Sequence, residues 1–309
     1  MKEHSFVSVV LYVRNCEKQI AAFYDNLVGV LTDKFIKFEL IFVNDGSTDR
    51  SVSVIEEKVG KTHDFVATVL HMGYFQGMEV AMNAGRDNAI GDYVDEFDSL
   101  IMDYDPKLIA DIFDESKNGY DIVAAAPKKG KGLFTKLYYR FFTSLNSETY
   151  QIRTERFRLL TRRAINQVTA MNVSTPYRKV VYASVGFAMK TVVYDNEKQK
   201  KQKEMGGKYR MNLATESLLL FTQTGYRFSL CMTFVMMFIT LCVGIYAVVV
   251  NILGTPIEGW TTLIFFLSFS FFGLFGILAI VVKYLSIILQ MVLKRKHYTV
   301  ARIEKINNK

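Results

Sequence analysis

Cysteine is scarce in this 309-residue chain, which holds only Cys16, Cys231 and Cys242. They lie far apart and two fall inside apolar stretches, so neither a disulfide framework nor a zinc site is expected. The opening Met1-Lys-Glu-His-Ser leads straight into a strand pattern, and no cleavable signal is expected there. Lysine and arginine outnumber aspartate and glutamate 38 to 30, a net charge of +8, but no nucleic-acid-binding motif accompanies the excess. Nucleic acid is therefore not an expected partner. The basic residues crowd between Lys198 and Arg210 and after Leu293, where they suit anionic lipid headgroups or a phosphorylated substrate.

Charge is absent altogether from residues 228–252 and 261–282. At about 1.5 Å of rise per residue each stretch is long enough to span a hydrocarbon core of about 30 Å. Buried helices of a soluble protein rarely run so far without a charge. Residues 253–260, which hold the single Trp260, read as the external turn of a transmembrane hairpin. Lys208, Arg210 and Arg227 precede the first stretch and Lys294, Arg295 and Lys296 follow the second, whereas the turn carries only Glu258. The positive-inside bias then places both termini on the cytoplasmic side. Gly244, Gly273 and Gly276 would let such hairpins pack closely, so a homo-oligomer is an open expectation.

The remaining chain alternates strand and helix signals. Strands are predicted over residues 6–13, 38–43, 65–70 and 93–97, and helices over 17–30, 51–59 and 77–89, with Asn15 as N-cap of the first helix. This order predicts an α/β fold with a mostly parallel, open, Rossmann-like sheet, whose ligands bind beyond the carboxyl ends of the strands. The expected organisation is a domain over 1–195, a membrane-proximal segment over 196–227, spans over 228–252 and 261–282, and an interfacial helix with a basic tail over 283–309. Lys283 would snorkel to the interface.

Several fragments fall in a telling order: Ser8-Val-Val-Leu-Tyr-Val-Arg-Asn-Cys-Glu17, Phe42-Val-Asn-Asp-Gly-Ser-Thr-Asp49, Asn83-Ala-Gly85, Ile90-Gly-Asp92, Phe157-Arg-Leu-Leu-Thr-Arg-Arg163 and Gly207-Lys-Tyr209. With the C-terminal hairpin, they resemble inverting family-2 glycosyltransferases of GT-A fold, in the subgroup that makes dolichyl- or polyprenyl-phosphate sugars. The resemblance implies a UDP- or GDP-sugar donor, a polyprenyl phosphate or lipid-linked saccharide acceptor, and a location at a bacterial inner membrane. It implies a nucleotide-sugar site drawn from Tyr12, Asn15, Glu17, Asn44, Asp45, Gly77, Gly85 and Asp98. Arg14 stands where the family often has a neutral residue, either against a phosphate or on the surface.

A nucleoside diphosphate leaving group needs its developing charge neutralised, and the family does this with Mg²⁺ or Mn²⁺ held by an Asp-x-Asp. Here those positions read Asp98-Ser99-Leu100, so one carboxylate is missing; Asp103 or Asp105 is the expected substitute. Strand alternation puts Glu96 on the face of Asp98, where the two form an acidic metal pair or Glu96 takes a cation and leaves the metal to Asp98. At least one of Asp95 and Glu96 must face the cleft or a cation. Arg156, Arg158, Arg162, Arg163 and Lys208 are expected around the lipid phosphate, or else on a solvated face near anionic lipid. Arg156 fills a slot where the family carries an acidic residue, which leaves Glu155 or Glu96 as base for a saccharide acceptor. Leu100 also admits a degenerate, non-catalytic binding subunit.

Overall fold

Seven successive residues, Val7–Val13, are buried as strand β1, and seven more, Phe38–Asn44, as β2 beside it. Runs of this kind belong at the centre of a parallel sheet covered on both faces. The computed structural model describes residues 2–60, 65–128, 155–170, 178–184, 186–195, 259–293 and 298–306, together with isolated positions between Met232 and Cys242. Lys208 and the segment 196–227, the turn 253–258 and most of the first apolar stretch lie outside the described residues.

The strands β3 (Val66–Met72) and β4 (Tyr93–Phe97) complete a parallel core in which β2 and β4 flank β1. The crossovers are α1 (Glu17–Lys34), α2 (Ser51–Val59) and α3 (Met78–Asn88). After α4 (Leu108–Ser116), β5 (Ile122–Pro127) and β6 (Phe157–Thr161) extend the sheet, with β6 antiparallel between β4 and β5. Helices α5 (Arg162–Ala170) and α6 (Arg178–Ser184) lead to β7 (Met189–Tyr194), and β8 (Val300–Ile306) closes the far edge antiparallel to β3. The order is β7-β5-β6-β4-β1-β2-β3-β8.

The core lies between the sheet and α1, α2 and α4, through Phe23, Leu27, Leu31, Ile55, Ile112 and Phe113. Phe97 and Phe157 stack at 4.8 Å between centroids, and Phe23 meets Phe97 edge-on at 5.4 Å. This packing locks β6 against β4 in the register that sets Arg158 beside Glu96.

Three expectations change. Asn15 does not cap α1: Cys16 holds that position, and Asn15 sits at φ 47° with its side chain accepting from Thr48 N. Residues 300–306 are not a basic tail but an edge strand. Their β-branched residues fit the pleat, while the exposed Arg302 and Lys305 guard the edge against further pairing. Gly85, expected against the nucleotide, instead packs α3 on the sheet: a Cβ there would overlap Val10 and come within 2.6 Å of Val43 Cγ2.

Two compact units result, Met1–Leu213 with Lys296–Lys309, and Ala214–Arg295. In the second, α7 (Trp260–Leu293) runs for 34 residues, and Gly273 lies against the Met236 side chain of the first apolar stretch. Among the described residues, no helix is long and apolar enough to cross a membrane. The backbone of α7 is continuous, and Leu263, Leu267, Phe271, Leu274, Leu278, Val281, Leu285 and Ile288 form an exposed stripe at spacings of three or four.

The close approach at Gly85 gives a direct test. Gly85→Ala overpacks the α3–sheet contact and lowers stability by about 1–3 kcal/mol in urea unfolding. An unchanged unfolding midpoint would show that α3 has room to shift.

Candidate functional site

The polar residues that follow β1, β2 and β4 gather at the carboxyl end of the sheet. Asp45, fully buried, accepts from the Tyr12 hydroxyl at 3.0 Å and from the backbone N–H groups of Gln76 and Gly77 at 2.8 and 2.9 Å. Gly77, at φ 93°, leads into α3, so the carboxylate sits where the helix dipole favours negative charge. Asn44 accepts from Ser47 N and faces His71 Nδ1 at 3.2 Å. Arg14 donates to the carbonyls of Asp45 and Gly46, and its guanidinium lies 3.8 Å from the centre of the Phe75 ring. Asn15 and Glu17 accept from Thr48 N and Arg50 N, and Asp49 accepts from Glu17 N, which ties the starts of α1 and α2 together. Tyr12, Asn15, Glu17, Asn44, Asp45 and Gly77 are thus brought together, with Asp45 as the hub.

A second cluster closes the carboxyl end of β4. Glu96 accepts from Arg158 at 3.0 Å, Arg178 at 2.7 Å and the Tyr182 hydroxyl at 3.0 Å. Asp98 accepts from the same two arginines, Arg158 on Oδ2 at 2.5 Å and Arg178 on Oδ1 at 2.6 Å. The third nitrogen of each guanidinium donates as well, Arg158 Nε to Glu155 at 3.0 Å and Arg178 Nε to Glu79 at 2.9 Å. Burial alone would raise the Asp98 pKa, but Arg158, Arg178 and Lys179 outweigh it and hold this carboxyl well below the usual range. Burial and the Glu96 charge push the Tyr182 hydroxyl up to about 12, so it stays a proton donor.

This donor set does not fit a protein-held divalent cation. Both Asp98 oxygens are engaged by guanidiniums, and Leu100 contributes a buried apolar side chain. Asp103, the expected substitute, is held by Arg156 at 2.7 Å and by the Tyr194 hydroxyl at 2.8 Å, and Asp105 accepts from Lys107 N. Among the described residues no three His, Cys, Asp or Glu side chains group to hold a metal. Glu96 and Asp98 do share a face, but what they share on it is two cations.

The arginines divide by end. Arg156 and Arg158 stand at the site, whereas Arg162 and Arg163 stand at the opposite end of the sheet. Because β6 is antiparallel, Thr161 pairs with Tyr93 at the start of β4. There Arg162 donates to the carbonyls of Ala89 and Gly91, and Arg163 pairs with Asp121. Neither is placed to meet a ligand of the carboxyl end. Asp95, on the other face of β4, has no hydrogen-bond partner among the described residues, and burial raises its pKa to about 8. The residues missed in the sequence are Arg178, Tyr182 and Glu79.

Residues 8–183, more than half of the chain, match Glycosyl transferase family 2. The chain belongs to this family. It is a glycosyltransferase. An uncharacterized glycosyltransferase YkcC of Bacillus subtilis (strain 168) is 27% identical and covers 100% of this chain and 97% of its own length. A prophage bactoprenol glucosyl transferase homolog of Escherichia coli (strain K12) is 24% identical over 97% of this chain and 99% of its own. The crystal structure of glucosyl-3-phosphoglycerate synthase from Mycobacterium tuberculosis, with Mn²⁺, UDP and phosphoglyceric acid bound, superposes with a TM-score of 0.51 at 15% identity. It covers 70% of this chain and 76% of that one, which makes the shared fold GT-A.

Two outcomes follow for this glycosyltransferase. Arg178→Ala strands Glu79, Glu96 and Asp98 with too few cations and costs about 3–5 kcal/mol, read by chemical denaturation; a loss under about 1 kcal/mol would mean the cluster is solvated. Asp95 binds its proton more tightly folded than unfolded, from 3.8 to about 8, so its penalty grows as pH rises through that window and levels off above it. The stability advantage of Asp95→Asn over the parent should therefore widen between about pH 5 and about pH 8. A pH-independent difference would contradict a neutral Asp95.

Proposed function

We propose that this glycosyltransferase moves a sugar from a UDP- or GDP-sugar to polyprenyl phosphate at the cytoplasmic face of a bacterial inner membrane. The observation that carries this reading is the apolar stripe of α7 together with β8. The stripe from Leu263 to Ile288 covers about 38 Å at helical rise. The chain then returns to add β8 to the sheet it left. A chain that begins and ends in one sheet crosses a membrane an even number of times, which agrees with a two-span hairpin. The naming of the E. coli relative for bactoprenol glucosyl transfer, at nearly full coverage of both chains, supports the same acceptor.

In this reading the nucleotide lies over the carboxyl ends of β1 and β2, around the loop that Asp45 organises. The diphosphate and sugar reach Asp98 at the end of β4. An acceptor phosphate oxygen attacks the anomeric carbon, the bond from that carbon to the nucleoside diphosphate breaks, and the configuration inverts. A phosphate already ionised near neutral pH needs no general base, consistent with Arg156 in the acidic slot. Arg156 and Lys208 are the cations retained for the acceptor phosphate, while Arg158 fixes Glu96 and Asp98. The carboxylate left for the expected Mg²⁺ or Mn²⁺ is Asp98, and a cation there would have to share its oxygens with Arg158 and Arg178.

The caged Asp98 and apolar Leu100 favour one second reading, a nucleotide-sugar-binding subunit without turnover. The test is label transfer into the organic phase from a panel of UDP- and GDP-sugars with undecaprenyl phosphate, with Mg²⁺, Mn²⁺ and EDTA arms. Lipid labelling that falls about a hundredfold in Asp98→Asn is expected. Nucleotide-sugar binding with no labelling in any arm would give the second reading the field.

A further inference from the structure

The loop between β3 and α3, residues 73–77, supplies the two N–H groups that Asp45 accepts and the Phe75 ring on which Arg14 rests. It is also fastened from outside the family-matched region, which ends at residue 183. Gln76 and Thr299 bond reciprocally: Gln76 Nε2 donates to Thr299 O at 2.7 Å, and Thr299 N donates to Gln76 Oε1 at 2.8 Å. Gly73 N donates to the same Thr299 carbonyl at 2.9 Å, and the Tyr298 hydroxyl donates to Asp87 on α3 at 3.0 Å. From Val300 the segment continues as β8, and its Glu304 lies 3.3 Å from His71, whose other ring nitrogen faces Asn44. One short segment thus touches the loop, the helix it leads into and a strand-end residue beside Asn44.

We infer that residues 298–306 are a strap that positions the donor loop, with Gln76 as the positioning residue that couples the strap to Asp45. This rests on the donor site proposed above. The physical case lies in what a loop of this kind needs. Two of its five residues are glycine, and Tyr74 and Phe75 expose large rings, so its own packing does little to fix it. Asp45 fixes the inner side through Gln76 N and Gly77 N. Thr299 fixes the outer side through the Gln76 side chain and Gly73 N. Gln76 is the residue held on both sides, by its main chain to one and by its side chain to the other. A side chain that ties a loop to a strand entering from the far end of the sequence contributes by pre-organising the loop, and so shows in ligand affinity.

The experiment uses the full-length protein in detergent, with UDP and GDP as probes. Nucleotide affinity is titrated and amide exchange is followed at residues 73–77 in the parent, Gln76→Ala and Gln76→Glu. Losing two neutral hydrogen bonds should weaken nucleotide binding by about tenfold in Gln76→Ala and speed exchange at Gln76 and Gly77. Gln76→Glu keeps the acceptor for Thr299 N but sets its second oxygen against the Thr299 carbonyl, so both effects should be at least as large as in Gln76→Ala. A merely structural role would lower the melting temperature without this graded order in affinity. Affinity and exchange within about twofold of the parent in Gln76→Ala would overturn the inference. A parent that binds neither nucleotide would sink the donor reading instead, and exchange at Gln76 and Gly77 would still decide whether Thr299 holds the loop.

Discussion

Two guanidiniums hold the acidic end of β4 together, and much else in the structure is arranged to keep them there. Glu96 and Asp98 point to one face of a central strand, next to a sheet that buries apolar residues on both sides. Left alone, two carboxylates at that depth would be costly to ionise. Arg158 arrives from β6 and Arg178 from α6, and each bridges both carboxylates while its Nε donates to Glu155 or Glu79. Elements far apart in sequence are therefore tied at one point: α3 through Glu79, β4, β6 and α6. The antiparallel placement of β6 and the stacking of Phe157 on Phe97 follow the same requirement, since a one-residue slip would turn Arg158 to the opposite face.

The donor end is built on a different principle. Around Asp45 the bonds run from side chain to backbone, and they shape loops rather than balance charge. Tyr12, Asn15, Glu17, Asn44 and Asp49 each hold an N–H or a side chain of a neighbouring turn, so the carboxyl ends of β1 and β2 form one rigid lip. The glycosyltransferase thus pairs a shaped, hydrogen-bonded rim with an electrostatically saturated floor.

Most of the parallel core was legible from residue order. Apolar runs of five to eight residues ended at polar turns, and β4 and α2 were read at their observed limits. Asp45 and Gly77, singled out from local sequence, lie bonded to each other at the carboxyl end of the sheet. What failed were inferences that needed partners from distant segments. Arg162 and Arg163 follow Arg158 closely in sequence, but the antiparallel direction of β6 carries them the length of a strand away. Gly85 looked like a ligand contact, yet its close approach is to Val10 and Val43. Strand β8 was hidden because its charges read as a tail. Arg178 was missed although a signal existed: Glu96 and Asp98, on one face at the end of a central strand, demand more buried positive charge than Arg158 alone supplies.

Asp98 is held by two arginines and is not a ready metal ligand. The most direct measurement is titration of Mn²⁺ into the nucleotide-free protein, followed by electron paramagnetic resonance, in the parent and in Asp98→Asn. No Asp98-dependent binding is expected in the parent at micromolar Mn²⁺. Stoichiometric Mn²⁺ binding that disappears with Asp98→Asn would contradict it, and would mean that the guanidiniums yield to a cation.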